Sequence, residues 1–469
     1  MTKKLAPLSL AMVAMLAGCS MIPAYERPAA PVPTNYTAAS VQTGAPLPSW
    51  RNYFSEPRLQ QLIELALDHN RDLRIASLNV EQARAQFQVR RAAQYPAVGL
   101  AANASRAPAS GSGDLTNSFS VGLAVTAWEL DFFGRVASLK EQALAQYLAS
   151  EEGRNAAQVS LISAVANGWL TLLADEQLLE LSRQTLATRE ESVRLTKLRL
   201  DSGAASELDY RQAESLTQAA RATLAQQQRQ RALDENALAL LLGQPLPEDI
   251  RASLSRSDLR AAPSMQAIPA GLPSDLLAQR PDIRQAEQQL VAANANIGAA
   301  RAAFFPRIAL TAQAGTASGE LSGLFKNGSW GFTLAPSLLL PLFDAGANQA
   351  NLDSAQVGRK LAVAQYEKSI QTAFREVSDA LASQSTLTEQ LDAQTKQAEA
   401  EAIRLNLADL RYKNGVASYL DLLDAQRSLF STQQGVVQVR LGQLQNQVTL
   451  FKALGGGWDA QTAPTTKAH

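Results

Sequence analysis

Asp72 to Pro96 aligns without a gap on Asp282 to Pro306, an offset of 210 residues, and this internal repeat constrains the fold more than any other feature. Arg74 meets Arg284, Ala83 meets Ala293, Ala92-Ala93 meets Ala302-Ala303 and Tyr95 meets Phe305. Farther on the offset becomes 212: Gly134 meets Gly346, Gly203 meets Gly415, Ser206-Glu207-Leu208-Asp209 meets Ser418-Tyr419-Leu420-Asp421, and Leu242-Gly243 meets Leu454-Gly455. Whatever the first copy folds into, the second must form as well. The expected divisions are a signal peptide at 1–18, a lipidated N-terminal tether at 19–56, repeat 1 at 57–243, a proline-rich linker at 244–274, repeat 2 at 275–458 and a tail at 459–469.

Each copy reads as helix, two strands, very long helix, turn and returning helix. Leu73, Ala76, Val80, Ala83 and Phe87 are spaced three and four apart, as are Ile283, Ala286, Leu290, Ala293 and Ile297, the pattern of a helix seam with small residues. After Pro96 and Pro306 the period changes to two. Val98, Leu100, Ala102 and Ala104 alternate in one copy, and Ile308, Leu310, Ala312 and Ala314 in the other. Return strands carry Phe119, Val121, Leu123, Val125 and Ala127, then Trp330, Phe332 and Leu334. The strands are expected at about 97–106, 118–128, 307–316 and 330–341, with Pro336 interrupting the last. From 135 to 202 and from 347 to 414 there is no proline, and apolar residues recur at helical spacing, so each stretch predicts one helix about 100 Å long. Gly203 and Gly415 stand where a left-handed cap would end it; Ser206 with Asp209, and Ser418 with Asp421, fit the capping box of a helix returning over 206–242 and 418–454.

Composition closes off most chemistry. Forty-three basic residues balance 43 acidic ones, which removes the electrostatic footprint of a nucleic-acid partner. One Cys and two His, His69 and His469, cannot furnish a soft-metal site, a disulfide or a neighbouring Cys/His pair, so neither a cofactor nor enzymatic activity is expected. Gly455-Gly456-Gly457 lacks the Lys and Ser/Thr of a phosphate loop and follows a helix; Glu151-Glu152 and Glu190-Glu191 read as solvated helix faces.

At the N-terminus, Lys3 and Lys4 precede the apolar stretch Leu5 to Ala17, a secretory signal too short to span a bilayer. Leu16-Ala17-Gly18-Cys19 resembles the lipobox of bacterial lipoproteins. That implies cleavage before Cys19 and its modification by S-diacylglycerol and an N-acyl chain, and Ser20 in place of Asp implies sorting to the outer membrane. Met21 to Pro48, rich in Pro, Ala and Thr, reads as an extended tether that lets the body sit away from the anchor. No run of 18 apolar residues follows, so any membrane-spanning segment must consist of strands. Four strands leave two open sheet edges that hydrocarbon cannot satisfy, so a barrel must close by association. Tyr95, Trp128, Phe132, Phe133, Phe304, Phe305 and Phe343 recur where strands meet helices, as an interfacial aromatic belt would.

Several motifs together carry a resemblance over nearly the whole chain: Trp128-Glu129-Leu130-Asp131-Phe132-Phe133-Gly134-Arg135, Gly271-Leu272-Pro273-Ser274-Asp275-Leu276-Leu277, Arg280-Pro281-Asp282-Ile283, Asn296 to Pro306, Leu422-Leu423-Asp424-Ala425-Gln426-Arg427, and Leu454-Gly455-Gly456-Gly457-Trp458. The chain resembles the bacterial outer-membrane efflux proteins of the OprM type. The resemblance implies a mainly α fold with a membrane β-barrel: a homotrimer whose 12-stranded outer-membrane barrel continues into a 12-helix periplasmic tunnel. It also implies a periplasmic adaptor and an inner-membrane resistance-nodulation-division pump as partners, outer-membrane lipids around the barrel, and passage of drugs and solvents.

The functional residues of a duct are those that narrow, charge or dock its periplasmic end. Asp421 and Asp424 lie three apart just past Gly415, and a trimer would bring three copies of each near its axis, a carboxylate ring that favours cations. The resemblance places Leu420, Asp424 and Arg427 at the closed constriction. Alternatively, Asp421 is only a cap and Asp424 an ion-pair partner within its hairpin. The tips Gly203-Ala204-Ala205-Ser206 and Gly415-Val416-Ala417-Ser418 are small enough for a partner's hairpin to come close. The resemblance implies that they meet the adaptor, with Arg199 and Arg411 flanking the contact. Two rival readings stay open: the outer-membrane outlet of a type I protein secretion system, which uses the same tube, and a coiled-coil lipoprotein scaffold, which leaves the symmetric strands unexplained.

Overall fold

A computed structural model describes residues 20–36, 47–108, 115–254, 259, 265, 275–276 and 279–457. Cys19, the signal peptide, Gly271 to Ser274 and everything from Trp458 onward lie outside the described residues. The elements are α1 (Trp50–Tyr53), α2 (Pro57–His69), α3 (Arg71–Ala92), β1 (Val98–Pro108), β2 (Leu115–Leu130), α4 (Arg135–Asp201), α5 (Glu207–Leu242), α6 (Glu248–Leu254), α7 (Pro281–Ala302), β3 (Arg307–Ser318), β4 (Trp330–Leu339), α8 (Ala347–Lys413) and α9 (Tyr419–Ala453). Two compact units result: Met1–Ala29 with Ser77–Glu152 and Asp282–Ser369, and Ala30–Ala76 with Gly153–Pro281 and Ile370–His469.

The first unit holds one antiparallel sheet in the order β1-β2-β3-β4. Directly opposed residues share a face, so the register sorts the side chains. Leu100 pairs with Leu123, Leu123 with Ala314 and Ala314 with Phe332, and this row extends to Val98, Val125, Ala312 and Leu334. One face is therefore apolar. On the other, Asn103 pairs with Ser120, Ala124 with Gln313 and Gln313 with Thr333. The simple alternation fails at one residue: the β2–β3 register shifts between Val125 and Trp128, and Ala127 takes φ 48°. This bulge returns Trp128, not Ala127, to the apolar row opposite Leu310. Pro336 stays within β4, the last strand of this chain's sheet, where it pairs with Leu310.

The second unit is helical, and its core corrects the tether and linker boundaries. Trp50, Tyr53 and Phe54, at the end of the presumed tether, and Ile250 and Leu254 of α6, inside the presumed linker, are buried with Trp169, Leu172, Val448 and Phe451. The Tyr53 and Phe451 rings stack at 4.2 Å. The α4 sequence contains a stretch apolar enough to cross a membrane by length and composition, but most of it is buried, supplying Ile162, Val165 and Trp169 to this core. The repeat is kept in detail here. A Cβ on Gly243 would lie 2.3 Å from the His69 carbonyl oxygen, and one on Gly455 would lie 2.8 Å from that of Gln279, the counterpart of His69. Gly456 lies against the Phe451 ring, so packing accounts for the glycines after α9.

Candidate functional site

The second unit carries both hairpin tips. At Gly203 (φ 75°) the Ala204 N–H donates to the Arg199 carbonyl at 2.7 Å, and at Gly415 (φ 71°) the Val416 N–H donates to the Arg411 carbonyl at 3.0 Å. These bonds close each long helix with a left-handed residue that glycine adopts freely. Ser206 Oγ accepts the Asp209 N–H at 3.1 Å and Ser418 Oγ accepts the Asp421 N–H at 3.2 Å, while each aspartate accepts its serine's N–H in return. Gly203, Ala204, Ser206, Gly415, Val416 and Ser418 are exposed; Ala205 and Ala417 are half-buried. Arg199 and Arg411 are both exposed, and the Arg199 guanidinium lies 4.8 Å over the Tyr412 ring, a contact between the two hairpins.

Just beyond the second tip, Leu420, Asp424 and Arg427 come together. Leu420 is 62% exposed. With Leu423, Leu216 and Arg211 these residues line a groove of about 410 Å³ between α5 and α9. Asp421 is committed to its cap. The Asp424 carboxylate accepts Arg404 Nη2 at 2.5 Å and Arg427 Nη2 at 2.6 Å, and these two guanidinium groups hold it below the ordinary carboxylate range. A bare carboxylate ring selecting cations is thus not what one chain offers; each Asp424 arrives with two arginines from its own hairpin. Two further bonds tie α4 to α9: Ser192 Oγ and Tyr419 Oη share a hydrogen at 2.6 Å, and Arg189, 6% exposed, donates to Gln426 Oε1 at 2.6 Å.

The first unit places charge and aromatics where strands meet helices. Glu129, at the end of β2, accepts both Arg135 of α4, at 2.5 Å, and Arg307 of β3, at 2.7 Å. Asp131 accepts the Ala137 N–H at 2.7 Å and caps the first turn of α4. Phe133 stacks on Phe305 at 4.8 Å, and Tyr95, Phe132, Phe304 and Phe343 are exposed beside the strand ends. An apolar face, a polar face and an aromatic margin are what a sheet needs to stand between hydrocarbon and water.

The model of the outer membrane efflux protein family matches residues 62–244 and 272–456. The chain belongs to the outer membrane efflux protein family. It is 47% identical to the toluene efflux pump outer membrane protein TtgC of Pseudomonas putida, over 98% of this chain and 97% of that protein. A crystal structure of a membrane protein from Pseudomonas aeruginosa is 44% identical, with 94% of this chain and 98% of that one covered and a TM-score of 0.87. The open state of the Neisseria gonorrhoeae MtrE outer membrane channel is 42% identical over 94% and 98%, with a TM-score of 0.85. The protein is an outer-membrane efflux channel, and each chain contributes four strands to the barrel. This displaces the secretion-outlet and scaffold readings.

Of the two carboxylate pairs, Glu190 and Glu191 are exposed as expected, each with an arginine partner, whereas Glu151 and Glu152 are half-buried. Glu152 meets Arg284 at 2.5 Å, Tyr147 donates to Glu151, Glu190 pairs with Arg221 of α5 at 2.8 Å, and Glu191 pairs with Arg194 at 2.6 Å. Sequence reasoning also missed Arg404. It lies ten residues before Asn414 and Asp424 ten after, and residues equidistant from a hairpin turn face one another, so the signal was present.

Asp175 on α4 is a second titrating feature of the helical unit. It is 5% exposed, and its Oδ2 has no hydrogen-bond partner among the described residues. Burial, then the neighbouring Asp234 of α5, pushes its carboxyl from 3.8 up to about 7, against the pull of Arg231. Below 3.8 the folded and unfolded chains both hold this proton. Between about 4 and 7 only the folded chain does, so the group's contribution falls as pH rises through this window and levels off above it, a loss of at most about 4 kcal/mol. Asp175→Asn keeps a donor toward Asp234 and removes the titration. The variant is expected to melt at the same temperature as the wild type at pH 4 and several degrees higher at pH 8. Circular dichroism melts that move in parallel across this range would exclude the linkage.

Proposed function

We propose that three copies of this chain form the exit duct of a tripartite resistance-nodulation-division efflux pump, conducting drugs and solvents outward from the periplasmic side. The observation that carries this reading is the two-faced sheet of four strands joined directly to helices of about 100 Å, each of 67 residues. Three such sheets close a 12-stranded barrel without unpaired edges, and the helices continue as a 12-helix tunnel. The kinship with a toluene efflux protein supports apolar cargo. Energy comes from the inner-membrane pump, reached through a periplasmic adaptor that docks on the tips around Gly203 to Ser206 and Gly415 to Ser418, with Arg199 and Arg411 beside them. Cys19 carries the acyl chains that hold the chain to the outer membrane. Leu420 narrows the periplasmic end, Asp424 with Arg404 and Arg427 holds it shut, and the Asp421 cap sets where α9 begins.

The test is complementation of a strain that lacks its own outer-membrane efflux channel but keeps pump and adaptor. The wild-type chain is expected to restore resistance to drugs and toluene and to conduct in planar bilayers. Ala417→Trp puts bulk on a half-buried tip position and is expected to assemble normally yet lower the inhibitory concentration at least tenfold. Full resistance from that variant would remove docking at this tip, and wild-type trimers that never conduct would remove the duct.

A further inference from the structure

The apolar face of the sheet carries one charge. Along β1 the residues of that face are Val98, Leu100, Ala102 and Ala104, and then Arg106, which pairs directly with Asn117 of β2. No other described residue of the face, on any of the four strands, is charged. Arg106 and Asn117 are both exposed, and neither side chain has a hydrogen-bond or ion-pair partner among the described residues. Their Cβ atoms stand about 5 Å apart, as in any directly opposed pair. A guanidinium and a carboxamide thus present N–H donors from one patch that holds no carboxylate.

The patch has a definite height in the membrane. Trp128 belongs to the inner aromatic margin, at the helix end of the strands. From Leu310, opposite Trp128, to Ser318, opposite Phe119, is eight residues of β3, and Asn117 lies two farther along, ten in all. At about 3.4 Å per residue and a tilt of about 40°, ten residues rise roughly 26 Å along the membrane normal. The apolar band of an outer-membrane barrel is about 25 Å tall. Arg106 therefore emerges where hydrocarbon ends on the side away from the helices, in the outer leaflet. Phe119, half-buried and opposite Ala104, is the next residue of the face below Asn117. A lipid-facing arginine is tolerated at such a boundary, where its charge reaches the headgroups.

We propose that Arg106, with Asn117, binds a phosphate of lipid A, the phosphorylated glycolipid of the outer leaflet, at one site in each chain. This rests on the barrel reading above and not on the cargo. Height and charge select the occupant: inner-leaflet lipids lie at the other end of the strands, and phosphate oxygens match the fork of an arginine while the Asn117 amide adds a further donor. The acyl chains run down the face over Phe119 and Val121, so headgroup and tail are held together, a combination that free phosphate cannot use. Among the described residues the carboxylate at this end of the sheet is Glu320, in the β3–β4 loop, which accepts Ser322 Oγ at 3.4 Å. Asp114 lies outside the described residues.

Native mass spectrometry of delipidated, full-length trimers, titrated with lipid A carrying both phosphates, tests this. The wild type should bind one lipid per chain, and should bind lipid A stripped of its phosphates roughly tenfold more weakly. Arg106→Gln removes a charge from the lipid face, so it should assemble, and it should lose roughly tenfold in affinity for phosphorylated lipid A. Arg106→Lys should fall between the two, and millimolar inorganic phosphate should not displace the lipid. Equal binding of both lipids by the wild type, or of phosphorylated lipid A by the wild type and Arg106→Gln, overturns the site and leaves the barrel standing. Displacement by inorganic phosphate overturns the lipid as its ligand. A rise in affinity of roughly tenfold in Glu320→Gln or Asp114→Asn would mean that a carboxylate holds the arginine, and overturns the site as well. Chains that never form trimers would remove the barrel reading and this proposal with it.

Discussion

Leu123→Arg is expected to abolish assembly of the barrel, while Gln313→Arg, one pairing register away on the neighbouring strand, is expected to assemble. Leu123 sits midway along β2 and pairs with Leu100 and Ala314 in the apolar row. Gln313 pairs with Ala124 and Thr333 on the polar face. An arginine at the hydrocarbon midplane of a barrel costs about 2–4 kcal/mol, and three chains carry three of them, roughly 6–12 kcal/mol per trimer. That is comparable to the whole stability of an ordinary domain, about 5–15 kcal/mol. On a water-filled lumen the same side chain keeps its hydration and costs little. Gel mobility of the unheated trimer extracted from outer membranes reads the difference. Equal assembly of both variants, or equal failure, would mean that the two sheet faces have been assigned the wrong way round or that the sheet does not face lipid.

The faces were legible in the sequence because strand period two needs no partner to be seen, and the repeat shows it twice. Ala127 was not: the bulge puts an alanine at φ 48°, and no Gly or Asn marks the place. Trp50 and Tyr53 were hidden by the Pro-, Ala- and Thr-rich stretch that runs up to Pro48, although Ser49 already supplies the cap of α1 by accepting the Asn52 N–H at 3.4 Å. The two copies also carry one seam pattern into different surroundings. Ile283, Leu290 and Ile297 are buried, whereas in the first copy only Leu73 is, and spacing alone cannot tell which copy meets a neighbour within its own chain. Charge partners divide the same way. Arg404 with Asp424 and Glu190 with Arg221 follow from counting outward from a turn, but Arg284 with Glu152, and Arg27 with Glu287, join segments that no local rule brings together.

Removing Asp424 should open the periplasmic end. Two charge-assisted hydrogen bonds hold its carboxylate to Arg404 and Arg427, and Leu420 beside it is exposed to the groove, so Asp424→Ala with Leu420→Ala removes both the tie and the plug. Closed-state conductance in planar bilayers is expected to rise on the order of tenfold, and the lumen there, with Arg427 released while Arg404 keeps Glu401 at 3.1 Å, should favour anions. Arg404→Ala with Arg427→Ala should open the channel too but leave bare carboxylates, so its reversal potential in a salt gradient takes the opposite sign. Acidity acts in a defined direction. Because the two arginines depress the Asp424 carboxyl below 3.8, its pairs persist above that range and are lost only as pH falls through the depressed value, so wild-type conductance should stay flat from about pH 8 to 5 and rise only under stronger acid. Unchanged closed-state conductance in the Asp424 and Leu420 double variant would sink the gate. Both arginines belong to the same α8–α9 hairpin as the aspartate they hold, so each chain closes its own share of the opening. Mixed trimers with one, two or three variant chains should therefore conduct in graded steps, and an all-or-none response would place the closing ties between chains instead.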